Sequence, residues 1–293
     1  MNNAHWSKFI FKQAIRSVVA LKGGLQHQTD LVELIDGSKW ICKVLNENTW
    51  LGTITSAQFA YTEHVSAQVS RALECTFSPL NLSDLPQETK ARHLIVPYCE
   101  GQLITAVTQE QAALLGGLLA QLHELSLPTK EAQLFPRITL PKDSTSPAWL
   151  RQLAQRCNTL RNHEKANSVV SHRDIHLQNI IWKSETKPHL IDWESAGLIH
   201  PFVELIGLAT NCCGLANYSF DEKLFRATLV GYVCKKKLPQ PTEPLWNMCF
   251  HSWLLWYVYS LKKGWDIGAQ ATLNAIEVIK TYMPELRRIY AEI

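Results

Sequence analysis

Residues 171–194 read "SHRDIHLQNIIWKSETKPHLIDWE". They set His172, Asp174 and Asn179 in the spacing His-x-Asp-x-x-x-x-Asn, followed by Ile191-Asp192-Trp193-Glu194. Two short apolar runs, "NIIW" and "PHLI", read as the strands of a hairpin. Such a hairpin places Asn179 and Asp192 at adjacent strand ends, where both could reach one metal ion. It leaves Asp174 at the tip of the preceding loop, facing solvent and substrate. Phosphoryl transfer from ATP needs a carboxylate to orient and deprotonate the attacking hydroxyl, oxygen ligands for Mg²⁺, a cation on the phosphates, and backbone donors around them. Mg²⁺ keeps several waters, so one carboxylate and one amide oxygen from the protein suffice. Asp and Asn acting only as helix caps would account for one or two of these residues, not for the whole spacing. His172, at a strand-to-loop corner, suits holding a backbone carbonyl with one ring nitrogen. His176 reads as an exposed polar side chain.

The rest of the composition is that of an ordinary globular chain. Its 293 residues carry a formal net charge of +3, and the longest basic run is Lys235-Lys236-Lys237. That is a solvated helix end rather than a nucleic-acid surface. The apolar run "WLLWYVYSL" (253–261) is about half of what a membrane span requires. The start, "MNNAHWSKFIFKQAIRS", lacks the apolar core and small-residue site of a secretion signal. The eight Cys show no zinc spacing and read as reduced, mostly buried thiols of a cytoplasmic protein. No membrane or nucleic-acid partner is expected.

The pattern predicts an α+β chain with a small β-rich lobe (1–97) and a larger, mostly helical lobe (98–293). "SVVAL" (17–21), "TDLVELI" (29–35), "KWICKVL" (39–45) and "HLIVPY" (93–98) read as strands, five strands in all being expected with one helix over about 55–74. Gly23-Gly24 separates the first pair; Asp36-Gly37 separates the second and signals a tight hairpin. Beyond residue 108 the period becomes helical. Thr108 with Gln111 reads as a capping box, with Leu114, Leu115, Leu118, Leu119, Leu122 and Leu125 marking one helix face. Ser146-Pro147 reads as an N-cap with Pro at the first helical position, and Ser219 with Glu222 as a second capping box. A last helix is expected to run to Ile293.

The wording "SHRDIHLQNII…LIDWESAG" resembles the aminoglycoside phosphotransferase and choline kinase-like superfamily, whose fold is related to that of protein kinases. The resemblance implies a two-lobed, protein-kinase-like fold that uses ATP or GTP with Mg²⁺. It implies Asp174 as catalytic base and Asn179 and Asp192 as Mg²⁺ ligands. "LKGGLQHQTDLVEL" resembles the nucleotide-covering hairpin, so Gly23 and Gly24 are expected at the nucleotide. Lys43 falls where the phosphate-contacting Lys of the third strand lies, and Glu63 suits its helix partner, with Glu74 as rival. "HLIVPYCEG" resembles the hinge that receives adenine, through the Pro97 carbonyl and the Cys99 N–H. Three departures stand out. Gln26-His27 replaces the usual Ser or Asn of the phosphate loop, Glu204 stands where Asp is common, and Arg173 separates His172 from Asp174 as in protein kinases.

The segment "DWESAGLIHPFVELIGLA" has no D-F-G, no A-P-E and no peptide-presenting loop. The expected acceptor is therefore a small hydroxyl-bearing molecule. Glu194 and Glu204 are expected to face it and favour a cation, with Trp246, Trp253, Trp256 and Tyr257 either lining the pocket or filling the core. The first expectation is an antibiotic of aminoglycoside or aminocyclitol type, so that the chain would confer resistance. The alternatives are a metabolic kinase for choline, ethanolamine, thiamine or a sugar, and a non-catalytic nucleotide-binding pseudokinase. Oligomeric state is not legible.

Overall fold

The computed structural model describes residues 6, 8–21, 26–82, 93–141, 146–161 and 165–293. The chain divides into two compact units, 1–100 and 101–293. Gly23 and Gly24 lie outside the described residues.

The first unit is built on an antiparallel sheet in the order β1-β2-β3-β6, with β1 Ile15–Ala20, β2 Gln28–Leu34, β3 Lys39–Val44 and β6 His93–Pro97. Alternation fixes which side chains turn inward. Val32, Leu34, Cys42 and Ile95 are buried together with Trp6, whose indole Nε1–H donates to Asp30 Oδ2 at 2.7 Å. The Asp36-Gly37 turn forms as expected between β2 and β3. Gly37 alone takes a left-handed φ there (86°), and Asp36 Oδ1 accepts from the Ser38 N–H at 2.8 Å. The turn therefore spans one residue more than the tightest hairpin. A further short hairpin, β4 Asn48–Thr49 and β5 Gly52–Thr53, was not anticipated and brings the described strands of this unit to six. Helix α1 covers Lys8–Phe11, and helix α2 covers Ser56–Ala72. Thr55 and Gln58 close a capping box on α2.

The second unit opens with β7 Gln102–Leu103 and helix α3 Gln109–Leu122, which the Thr108–Gln111 box caps as expected. Of the predicted leucine face, Leu115, Leu119 and Leu122 are buried, while Leu114 is exposed. Helix α4 is Ala148–Leu160. Its N-cap is Pro147 rather than Ser146, whose hydroxyl meets Tyr257 Oη at 3.1 Å instead. Then come β8 Val169–Ser171, β9 Ile180–Trp182, β10 Pro188–Leu190 and β11 Gly197–Ile199. The segment after Asp192 thus runs through a short strand before it reaches helix α5, Pro201–Cys212. Helices α6 Glu222–Val233, α7 Glu243–Met248, α8 His251–Lys262 and α9 Asp266–Ala291 complete the unit.

Asp221, not Ser219, caps α6. Its Oδ1 accepts from the Lys223 and Leu224 N–H groups at 2.8 and 3.3 Å. Helices α3 and α6 pack backbone to backbone. A Cβ on Gly116 would fall 1.9 Å from the Thr228 carbonyl oxygen, and one on Gly231 would fall 1.9 Å from that of Ala113. Among the cysteines only Cys234 is exposed, and all eight are free thiols. No helix of the described residues is long and apolar enough to cross a membrane.

Candidate active site

Strands β9 and β10 pair antiparallel, Ile180 opposite Leu190, and the Ile191 N–H donates to the Asn179 carbonyl at 3.0 Å. Asn179, at the entry to β9, and Asp192, just past β10, are thereby held side by side. The Asn179 amide donates through Nδ2 to the Asp174 carbonyl at 3.0 Å and approaches Asp174 Oδ2 at 3.4 Å. This anchoring of the NH₂ leaves Oδ1 as the amide atom that could meet a cation. Asp174 is partly exposed, and His176 Nε2 lies 3.7 Å from its Oδ1. His176 is therefore a neighbour of the candidate base, not a remote surface residue. Asp192 is exposed and left-handed (φ 64°, ψ 58°). Asn179 and Asp192 offer one amide and one carboxylate oxygen, hard donors of the kind Mg²⁺ takes.

His172 is fully buried, and its role as a backbone holder is visible in two bonds. Nε2–H donates to the Ile191 carbonyl at 2.7 Å, and Nδ1 accepts from the Asp174 N–H at 3.3 Å. A carbonyl can only accept and an amide N–H only donate, so these partners select the Nε2–H tautomer. The ring also meets Trp193 edge-on at 4.7 Å.

Glu204 does not face an acceptor. It is buried on the first turn of α5, where Oε2 meets His123 Nε2 at 2.8 Å and Oε1 accepts from the Arg173 N–H at 2.6 Å. His123 Nδ1 in turn meets Tyr232 Oη at 3.0 Å. Burial raises the Glu204 carboxyl, but the hydrogen bond and charge of His123, with Ser171 and the Arg173 N–H, outweigh it and bring the carboxyl below its ordinary value. The side chain projects from an otherwise apolar helix into the core, where a carboxylate must be paired. Glu194 sits half-buried in the short turn after Asp192.

Sequence reading also missed what Arg173 does. Its backbone is left-handed (φ 67°), and its guanidinium lies 4.8 Å over the Phe135 ring while donating to the carbonyls of Ser195, Gln133 and Ala196. Of the late aromatics, Trp246 and Tyr257 belong to the core, Trp246 edge-on to Phe202 at 4.7 Å; Trp253 and Trp256 are half-buried.

In the first unit, Lys43 is buried on β3, opposite Thr29 and Leu94, and Glu63 is half-buried in the middle of α2. Glu74, its rival, is exposed beyond the end of that helix. Pro97 ends β6, the Tyr98 N–H donates to the Lys39 carbonyl at 2.9 Å, and Cys99 is buried. Gln26 and His27 bind within the unit, accepting from the Trp50 and Asn46 N–H groups at 3.0 Å each.

The model of the phosphotransferase enzyme family matches residues 18–238. The chain belongs to that family and is a small-molecule phosphotransferase. Solved structures give the same fold. Choline kinase LicA from Streptococcus pneumoniae aligns with a TM-score of 0.68 at 17% identity, over 94% of this chain and 97% of the other. An aminoglycoside phosphotransferase from Alicyclobacillus acidocaldarius aligns with a TM-score of 0.63 at 13% identity, over 100% and 98%. A spectinomycin phosphotransferase in complex with ADP and spectinomycin aligns with a TM-score of 0.59 at 13% identity, over 96% and 90%. The fold is therefore the two-lobed, kinase-like α+β fold that the resemblance implied. No curated protein matches the chain significantly.

Proposed function

We propose that the chain transfers the terminal phosphoryl group of ATP or GTP to the hydroxyl of a small acceptor, with Asp174 as base. The observation that carries this reading is the juxtaposition of Asp174, Asn179 and Asp192 through the Asn179 amide and the β9–β10 register. Asp174 accepts the hydroxyl proton as the acceptor oxygen bonds to the terminal phosphorus and the bond to the leaving nucleoside diphosphate breaks. Asn179 Oδ1 and the Asp192 carboxylate would hold Mg²⁺, which would supply neutralisation of charge on the phosphate oxygens. Lys43 contacts the phosphates, and Glu63 orients Lys43. The Pro97 carbonyl and the Cys99 N–H receive the adenine.

The acceptor is a small cationic alcohol. Multiply charged antibiotics call for several carboxylates. With Glu204 turned into the core, Glu194 is the one left of the two expected to meet the acceptor. An acceptor with one ammonium group, of the choline or ethanolamine kind, suits this single remaining carboxylate better than a multiply charged aminocyclitol. The half-buried Trp253 and Trp256 would suit such a group through cation–π contact.

ADP release measured against choline, ethanolamine, thiamine, aminoglycosides, spectinomycin and neutral sugars separates these readings. Release on an amino alcohol, abolished by Asp174→Asn, supports the monocationic acceptor. Turnover of an aminoglycoside or spectinomycin, with matching resistance in a susceptible bacterium, restores the antibiotic reading. Turnover of neutral sugars alone defeats the cationic argument.

A further inference from the structure

Asp192 is a non-glycine residue held in the left-handed region, and the carbonyls on both sides of it are held by the two residues that precede Asp174. On the near side, His172 Nε2–H donates to the Ile191 carbonyl at 2.7 Å. On the far side, Arg173 Nε–H donates to the Ser195 carbonyl, and Nη2 reaches the Ala196 carbonyl at 3.5 Å. The third direction of the guanidinium is fixed as well. Its Nη1 donates to the Gln133 carbonyl at 2.8 Å, and that carbonyl also accepts from the Leu198 N–H at 3.0 Å. The β8–β11 pairing of Ser171 with Gly197 closes the frame beneath. Gly197 is what lets the guanidinium in, since a Cβ there would fall 2.6 Å from Arg173 Cζ.

We propose that Arg173 is a positioning residue for Asp192: together with His172 it clamps residues 191–196 at both ends and presets the left-handed carboxylate for the metal–nucleotide complex. This rests on the reading of Asp192 as a Mg²⁺ ligand. A planar fork with donors in several fixed directions is required, because a compact ammonium cannot satisfy carbonyls that diverge around it. Outer partners of metal ligands commonly carry about 10–100-fold in metal affinity. The position of Arg173, between the loop of the base and the loop of the metal carboxylate, couples the two in one rigid piece.

The test uses the full chain with Arg173→Lys and, as a second route to the same contact, Gly197→Ala. Amide hydrogen exchange without metal or nucleotide reports the clamp directly, and calorimetry compares ATP binding with and without Mg²⁺. The expected result is faster exchange confined to residues 191–196, and Mg-ATP binding weakened by about 10–100-fold. Metal-free ATP binding changes less than twofold. Wild-type exchange and wild-type Mg-ATP affinity in both variants would overturn the proposal, as would a uniform loss of protection across 165–293, which marks a general folding role. Asp192→Asn tests the underlying reading separately. If it leaves Mg-ATP affinity unchanged, Asp192 is not a ligand, and the exchange data still decide whether the clamp exists.

Discussion

His123 and Glu204, 81 residues apart in sequence, meet at 2.8 Å in the core of the second unit, and the other carboxylate oxygen of Glu204 holds the Arg173 N–H at 2.6 Å. The loop that carries Arg173 and Asp174 is thus suspended from helices α3 and α5 by one buried carboxylate. Removing either partner leaves the other buried and incompletely paired, which costs about 3–5 kcal/mol. Glu204→Ala and His123→Ala should each lower stability by that order in urea titrations. The double variant should lose less than the sum, because the two act through one contact. Additive losses would show that the pair is not coupled.

Acid sensitivity has two further sources in the same unit. Burial drives the imidazoles of His189 and His251 down to about 4 from the ordinary 6.5. A histidine whose pKa is depressed on folding binds its proton more readily in the unfolded chain. Its contribution to stability is therefore complete above about pH 6.5 and is lost as pH falls toward 4. The carboxyl of Glu204, held below its ordinary value, adds a loss at still lower pH. Melting temperature should fall steadily between pH 6.5 and 4. In His189→Phe or His251→Phe, part of that slope should disappear. A wild-type slope in both variants would assign the acid loss elsewhere.

Much of this site was legible in residues 171–194 because the information there is local. The spacing from His172 to Asn179 and the two apolar runs dictate a hairpin, and its register alone brings Asn179 and Asp192 together. A corner histidine has a carbonyl within reach, and His172 bonds that of Ile191. What could not be read is long-range. Glu204 stands among Phe202, Val203, Leu205 and Ile206, and a lone carboxylate in an apolar turn signals burial. Nothing nearby says that His123 is its partner. The spacing of Ser219 and Glu222 imitated a capping box, yet Asp221, one residue before the helix, satisfies two N–H groups by itself. Helical spacing leans toward a core role for Trp246 but does not say which face is covered.

Helices α3 and α6 test how tightly the scaffold beneath the site is packed. Gly231→Ala would place a methyl group 1.9 Å from the Ala113 carbonyl oxygen, on rigid backbone at both sides. The helices must separate, and overpacking of this kind costs about 1–3 kcal/mol. Tyr232 follows immediately, so the separation also strains its contact with His123. The variant should melt at lower temperature, with catalysis reduced more than nucleotide affinity. Gly207→Ala on α5, where the added methyl meets open space, is the matched control and should be neutral or slightly stabilising.

Asp174 and Asp192 should fail in different ways, and the difference separates the proton acceptor from the metal ligand. Asp174 is the partly exposed carboxylate beside His176, and the Asn179 amide steadies its backbone. As the proposed base it would act on the acceptor hydroxyl rather than on the nucleotide, so it should matter only in the reacting complex. Asp174→Asn keeps shape and hydrogen-bonding capacity while losing the basic oxygen. Both kcat and kcat/KM should fall by about 10²–10⁴-fold, the usual contribution of general acid–base catalysis, with Mg-ATP affinity within a few-fold of wild type. With Asp192 as the proposed metal ligand, Asp192→Ala would remove one of two protein oxygens, so its loss should appear in binding: Mg-ATP affinity drops, and excess Mg²⁺ partly restores turnover. Asn179→Ala should resemble Asp192→Ala more weakly and also loosen the Asp174 loop, because its Nδ2 anchors the Asp174 carbonyl. Calorimetric titration with Mg-ATP beside steady-state kinetics distinguishes these patterns. Near wild-type kcat in Asp174→Asn would remove it as the base. Unchanged Mg-ATP affinity in Asp192→Ala would remove that residue from the metal.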